Sequence, residues 1–144
     1  MNVEIITQKA KYDDIKVQLE DLLQDLILVS ESDEKLEFYE FVDNSDECSV
    51  LTIEKITSKL NEKLEIVNCF ALETFFEQLT TIQDWYGECE KGQAILFQNL
   101  QHFLSENLTK ISVLEIGLIE VKVYVIGRYQ DARWLGFKSL KIQT

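Results

Sequence analysis

Along the front of the chain, apolar residues recur at helical spacing. Ile15, Leu19, Leu22, Leu23 and Leu26 follow three- and four-residue steps, while Asp14, Gln18, Asp21 and Asp25 populate the opposite face. This predicts a helix from about Lys11 to Leu28. The polar run Ser30–Lys35 breaks the period and predicts a loop. Glu37–Val42 is aromatic-rich and reads as a strand. Residues 50–60 fit either period, with the balance towards a short helix. Leu64–Cys69 reads as a short apolar strand and Glu73–Leu79 as a helix carrying Phe75, Phe76 and Leu79. The loop Asp84-Trp85-Tyr86-Gly87 then leads into the longest predicted helix, Glu88–Leu108. Its stripe is Ala94, Phe97, Leu100, Leu104 and Leu108, widened by Leu96 and Phe103, and Glu88 and Glu90 sit in the dipole-favoured first turn.

The end of the chain changes period. Ile119, Val121, Val123 and Val125 alternate with Glu120, Lys122, Tyr124 and Ile126, which predicts a strand with one well-buried face. Val113–Ile116 precedes it across Gly117, so a hairpin or bulge is expected there. Gly127–Arg133 reads as a turn and Trp134–Ile142 as a last strand. In that strand Leu135 and Phe137 occupy one register and Leu140 and Ile142 the other, which a bulge near Lys138-Ser139 reconciles. Helices at the front and middle with strands meandering at the end predict an α+β fold, with helices packed on an antiparallel sheet.

Composition bounds the function. The 144 residues hold 26 acids and 14 bases, for a formal charge of −12. The length and the lack of proline, repeat or linker predict a single domain over 1–144. No apolar run is long enough to span a membrane, and the Met1–Glu4 start lacks a signal-peptide profile. The charge disfavours generic phosphate binding. It is also uneven: residues 1–50 hold 14 acids and 4 bases, whereas residues 101–144 hold 4 and 6. Solubility alone accounts for such an excess in most acidic proteins. An acidic surface that steers a cationic partner is the sharper reading.

Cys48, Cys69 and Cys89 are odd in number and widely spaced, which fits reduced thiols in a cytoplasmic protein. With His102 they lack the close ligand pairs of structural zinc, so no cofactor is expected. Nucleophile–base pairs, Gly-rich phosphate loops and paired carboxylates are missing too, and an enzyme is not expected.

Four blocks are more specific: Phe75-Phe76, TTIQDWY at 80–86, LFQNLQHFLSENL at 96–108 and VYVIG at 123–127. Through them, from Phe75 to Thr144, the chain resembles the nuclease A inhibitor family, small acidic proteins that block a sugar-non-specific, metal-dependent DNA/RNA endonuclease. The Leu28–Asp33 segment is similar to that family's Ser-Glu-Ser loop after its first helix. The resemblance implies an α/β/α sandwich, with a mostly antiparallel sheet and helices packed on both faces. It implies that Glu31, flanked by Ser30, Ser32 and Asp33, engages the divalent metal of the partner nuclease, directly or through water. It also implies that Trp85 and the C-terminal Thr144 contact the nuclease. The chain departs from the family at Arg128, Arg133 and Trp134, which make the last turn more basic and bulkier.

The physics of these positions agrees in kind. Carboxylate oxygen suits a hard divalent cation. Trp in a polar loop is a credible interface anchor, although most Trp residues are core aromatics. The resulting expectation is a protein inhibitor, monomeric alone and 1:1 in complex, that touches neither nucleic acid nor membrane. The alternative is a protein-interaction module that shares the fold without inhibiting.

Overall fold

The computed structural model describes residues 3–29, 32–42, 67–129 and 133–142. Among them are three helices, a two-stranded sheet and a five-stranded sheet, all antiparallel, so the class is α+β. The elements are α1 (Val3–Gln24), β1 (Ile27–Val29), β2 (Asp33–Lys35), β3 (Glu37–Val42) and β4 (Val67–Phe70). They continue with α2 (Leu72–Thr80), α3 (Glu88–Asn107), β5 (Thr109–Ile116), β6 (Glu120–Arg128) and β7 (Arg133–Ile142). The large sheet runs β3-β7-β6-β5-β4.

Both faces of that sheet are apolar. On one, Val113, Val121, Val123, Val125, Leu135 and Phe137 pack with Leu19, Leu23, Phe76, Phe97, Leu100 and Leu104 of the three helices. On the other, Leu114, Tyr124, Ile126 and Trp134 form a second cluster joined by Tyr39 and Phe41. Helices on this second face, which a full sandwich requires, are not among the described residues.

Several expectations change. Helix α1 starts earlier than Lys11 and ends at Gln24, and at 22 residues it outlasts the 20-residue α3. Beyond it, Ile27–Val29 pairs with Asp33–Lys35, so the second half of the predicted loop is a strand of a hairpin. The strand β6 runs through Gly127 and Arg128, which shortens the predicted turn.

No bulge lies at Lys138-Ser139: β7 pairs with β6 without interruption from Glu120↔Ile142 to Arg128↔Trp134. The two apolar registers of β7 are explained by the two buried faces instead. The irregularity is in β5, between Thr109 and Ser112, where Lys110 takes φ 52°. The β5–β6 turn opens on Gly117 at φ 123°, where an added Cβ would run into the Glu120 carbonyl oxygen. The ambiguous residues 50–60 and the start of the Leu64–Cys69 strand lie outside the described residues. The strand β3, helix α2 and the α3 stripe stand where the pattern puts them.

Candidate functional site

The β1–β2 hairpin carries the acidic loop. Its register, Ile27↔Lys35, Leu28↔Glu34 and Val29↔Asp33, leaves residues 30–32 between the strands. Ser30, Glu31 and Thr144 lie outside the described residues. Ser32 is half-buried and its hydroxyl donates to Glu34 Oε1 at 3.2 Å, while Asp33 is exposed.

Strands of three residues do not hold a hairpin on their own. This one is fixed from three sides. Leu26, Leu28 and Leu36 are buried in the main core, while Ile27 and Val29 alternate outward. The side-chain amide of Gln93 on α3 accepts a hydrogen bond from the Ile27 N–H at 3.2 Å and donates one to the Asp25 carbonyl at 2.7 Å. From β7, the Ser139 hydroxyl donates to the Lys35 carbonyl at 2.9 Å. Because Ile27 and Lys35 are paired, both ties act at the open base of the hairpin, one strand held by a helix and the other by the sheet. A cavity of about 380 Å³ beside it is lined by Glu34, Lys35, Lys122 and Lys138 among others, so this contact with the sheet is polar.

Gln93 also relates the hairpin to Trp85. It stands about one and a half turns, roughly 8 Å of helix axis, after the start of α3. The loop holding Trp85 enters that same helix end. Gln98 Nε2 donates to the Thr80 carbonyl at 2.9 Å, the Tyr86 N–H to the Gln83 carbonyl at 3.1 Å, and the Gly87 N–H to Glu90 Oε2 at 3.0 Å. These bonds shape residues 80–90 without covering the indole. Trp85 is 75% exposed, with its ring edge-on to Tyr86 at 4.7 Å. It is not a core residue, and an exposed tryptophan backed by a second ring has the form of an interface anchor.

The basic, bulky positions of the last turn turn out differently from one another. Trp134 is buried in the second cluster and stacks on Phe41 at 6.2 Å, so its bulk belongs to the fold. Arg133 lies over the Tyr12 ring at 4.2 Å. The strand β7 reaches Ile142 only three residues after the Ser139 anchor, which brings its end beside the hairpin.

Cys69 and Cys89 are free and exposed, and desolvation in edge strand β4 pushes the Cys69 thiol above its ordinary value. Among the described residues, no three His, Cys, Asp or Glu side chains stand together as a metal site. No described helix is long and apolar enough to cross a membrane. Sequence reasoning missed Gln93, Gln98 and Ser139, which read as ordinary polar surface residues. The one available signal was position: Gln98 lies inside the LFQNLQHFLSENL block, and Gln93 falls between it and QDWY.

A model of the nuclease A inhibitor-like protein family matches residues 13–144, which takes in the hairpin, the Trp85 loop and the whole large sheet. No curated protein matches the chain.

Proposed function

Because the chain belongs to the nuclease A inhibitor-like family, we propose that it inhibits a sugar-non-specific, metal-dependent DNA/RNA endonuclease by binding 1:1 over the active site. In this reading the Glu31 carboxylate takes the place of a scissile phosphate at the nuclease's divalent metal, with Ser30, Ser32 and Asp33 shaping the loop around it. Trp85 and the C-terminal Thr144 also contact the enzyme. The acidic first third of the chain steers this surface towards a cleft built to attract nucleic acid, so salt acts chiefly on the association rate. The site belongs to the partner's chemistry, and this chain performs none. It acts as a monomer within one domain, in the cytoplasm.

The observation that best supports the reading is the three-sided fixing of the hairpin. A metal-seeking carboxylate on a floppy loop loses binding energy to ordering, whereas one between two anchored strands does not. The test is titration of the protein into such a nuclease from the same cell while DNA degradation is followed. Glu31→Ala is expected to cost on the order of 2–5 kcal/mol, at least about 30-fold in Kd. Asp13→Ala on α1 is expected to change it by less than about threefold. Equal inhibition by wild type and Glu31→Ala removes the metal contact from the mechanism. Undiminished nuclease activity at saturating wild-type protein removes inhibition altogether.

A further inference from the structure

A groove of about 470 Å³ runs between α1 and α3, from Asp25, two residues before the hairpin, along the two helices. Its floor is the half-buried Leu22, Leu96 and Phe103, and its walls carry Asp21, Asp25 and Glu106. Among the described residues no Lys or Arg lines it, and the basic ring there is His102, whose Nε2 stands 3.0 Å from Glu106 Oε1. We propose that this groove docks a basic amphipathic helix of a protein partner, an apolar ridge seated on Leu22, Leu96 and Phe103 and Lys or Arg side chains facing the three carboxylates.

The spacing favours a helix as occupant. On α1 the lining positions are 18, 21, 22 and 25, and on α3 they are 96, 99, 102, 103 and 106. Both series follow three- and four-residue steps, so two parallel rows of side chains flank a slot. Such a slot accepts the ridge of a third helix. The five α3 residues that line it run from Leu96 to Glu106, about 15 Å of axis, which matches a peptide helix of roughly three turns. The charge selects the occupant's sign. Three carboxylates around an apolar floor repel phosphate and anionic lipid but attract a cationic segment, whose aliphatic stems also cover the floor. The rim acids are exposed, so they draw the partner in without a buried charge having to be desolvated.

The probe is a synthetic helical peptide of about 12 residues, Leu on one face and Lys on both flanks. It is titrated into the isotopically labelled full chain while backbone shifts are followed. Saturable shift changes confined to residues 18–25 and 96–106 are expected, with Kd rising about tenfold or more from about 0.1 M to about 1 M salt. The triple variant Asp21→Asn, Asp25→Asn, Glu106→Gln, whose changes are all at the exposed rim, is expected to weaken binding by about tenfold or more. A peptide with the same composition and a scrambled apolar face is expected not to saturate. Equal binding of the scrambled peptide, shifts spread over the whole acidic surface, or an unaffected triple variant overturns the proposal. Self-association of the chain through these residues in the absence of peptide overturns it as well, and identifies a second copy as the occupant.

Discussion

Gln93→Ala tests whether the acidic loop is held in place by its two strands. The substitution removes the 3.2 Å bond from the Ile27 N–H and the 2.7 Å bond to the Asp25 carbonyl, and leaves the exposed face of α3 otherwise intact. Each such bond is worth about 0.5–1.5 kcal/mol net, and both are solvent-accessible, so the pair contributes about 1–2 kcal/mol. That energy holds the start of β1 and does not bear on the main core. Local opening of residues 25–29 is therefore expected to become about 5–30-fold more frequent, with global stability reduced only slightly. Amide hydrogen exchange reads this directly: the Ile27 amide exchanges faster while those of Leu100 and Val125 stay protected. Gln93→Glu sharpens the comparison. Its carboxylate still accepts from Ile27 but places a negative charge against the Asp25 carbonyl, so it is expected to be no better than Ala. If the proposed function holds, both variants weaken inhibition through slower productive docking. Unchanged exchange at Ile27 in both variants refutes the anchoring, whatever the inhibition does.

Two further predictions concern the sheet and a thiol. Glu115 is only 7% exposed and is paired with Lys141 at 2.7 Å across β6, so Lys141→Ala leaves a buried acceptor unmatched and is expected to cost about 1–3 kcal/mol, read by urea denaturation. A midpoint equal to wild type shows that solvent replaces the lysine without loss. Burial holds the Cys69 thiol above its ordinary value near 9.0, so near pH 8 it is expected to alkylate more slowly than a free thiol, the gap closing as pH rises through the shifted value. Because the folded state favours the neutral thiol, its contribution to stability is present at lower pH and lost over that same rise. Mass mapping of the modified cysteine checks the rate, and alkylation of Cys69 at the free-thiol rate contradicts the shift.

Elements with a single strong period were legible. The α3 stripe of Ala94, Phe97, Leu100 and Leu104 is buried as its spacing requires, with Leu96 and Phe103 half-buried on its flank. The hairpin was not legible. Leu26 and Leu28 continue the apolar spacing of α1, no Gly or Pro marks the stop, and Asp33-Glu34-Lys35 has no strand propensity of its own. That second strand exists because pairing with β1 and the Ser139 bond impose it. The mistaken bulge has a different origin. A strand buried on both faces shows apolar residues in both registers, and the pattern imitates a phase shift. The actual irregularity beside Lys110 left no trace, because lysine is not a residue that announces a left-handed backbone. The candidate site was suggested only by resemblance, since a Ser-Glu-Ser segment is by composition ordinary solvated chain.

The architecture explains why an acidic loop of this kind needs so large a frame. Two strands of three residues supply too little pairing energy to hold themselves together. The order must come from outside, and here it is drawn from both layers: a glutamine on α3 and a serine on β7 each bind hairpin backbone. These are main-chain contacts, so they constrain the path of the chain while leaving the side chains at the tip free to be chosen for a partner. Trp85 enters through the same helix end, which makes α3 the common ruler for the two surfaces. A change in the core that tilts α3 moves the hairpin anchor and the tryptophan loop together, so their mutual spacing survives. If the proposed function holds, stability of the frame and complementarity of the surface are thereby separated: the buried stripe of α3 can be tuned for packing, and the exposed residues of the two loops for binding, with little interference between them.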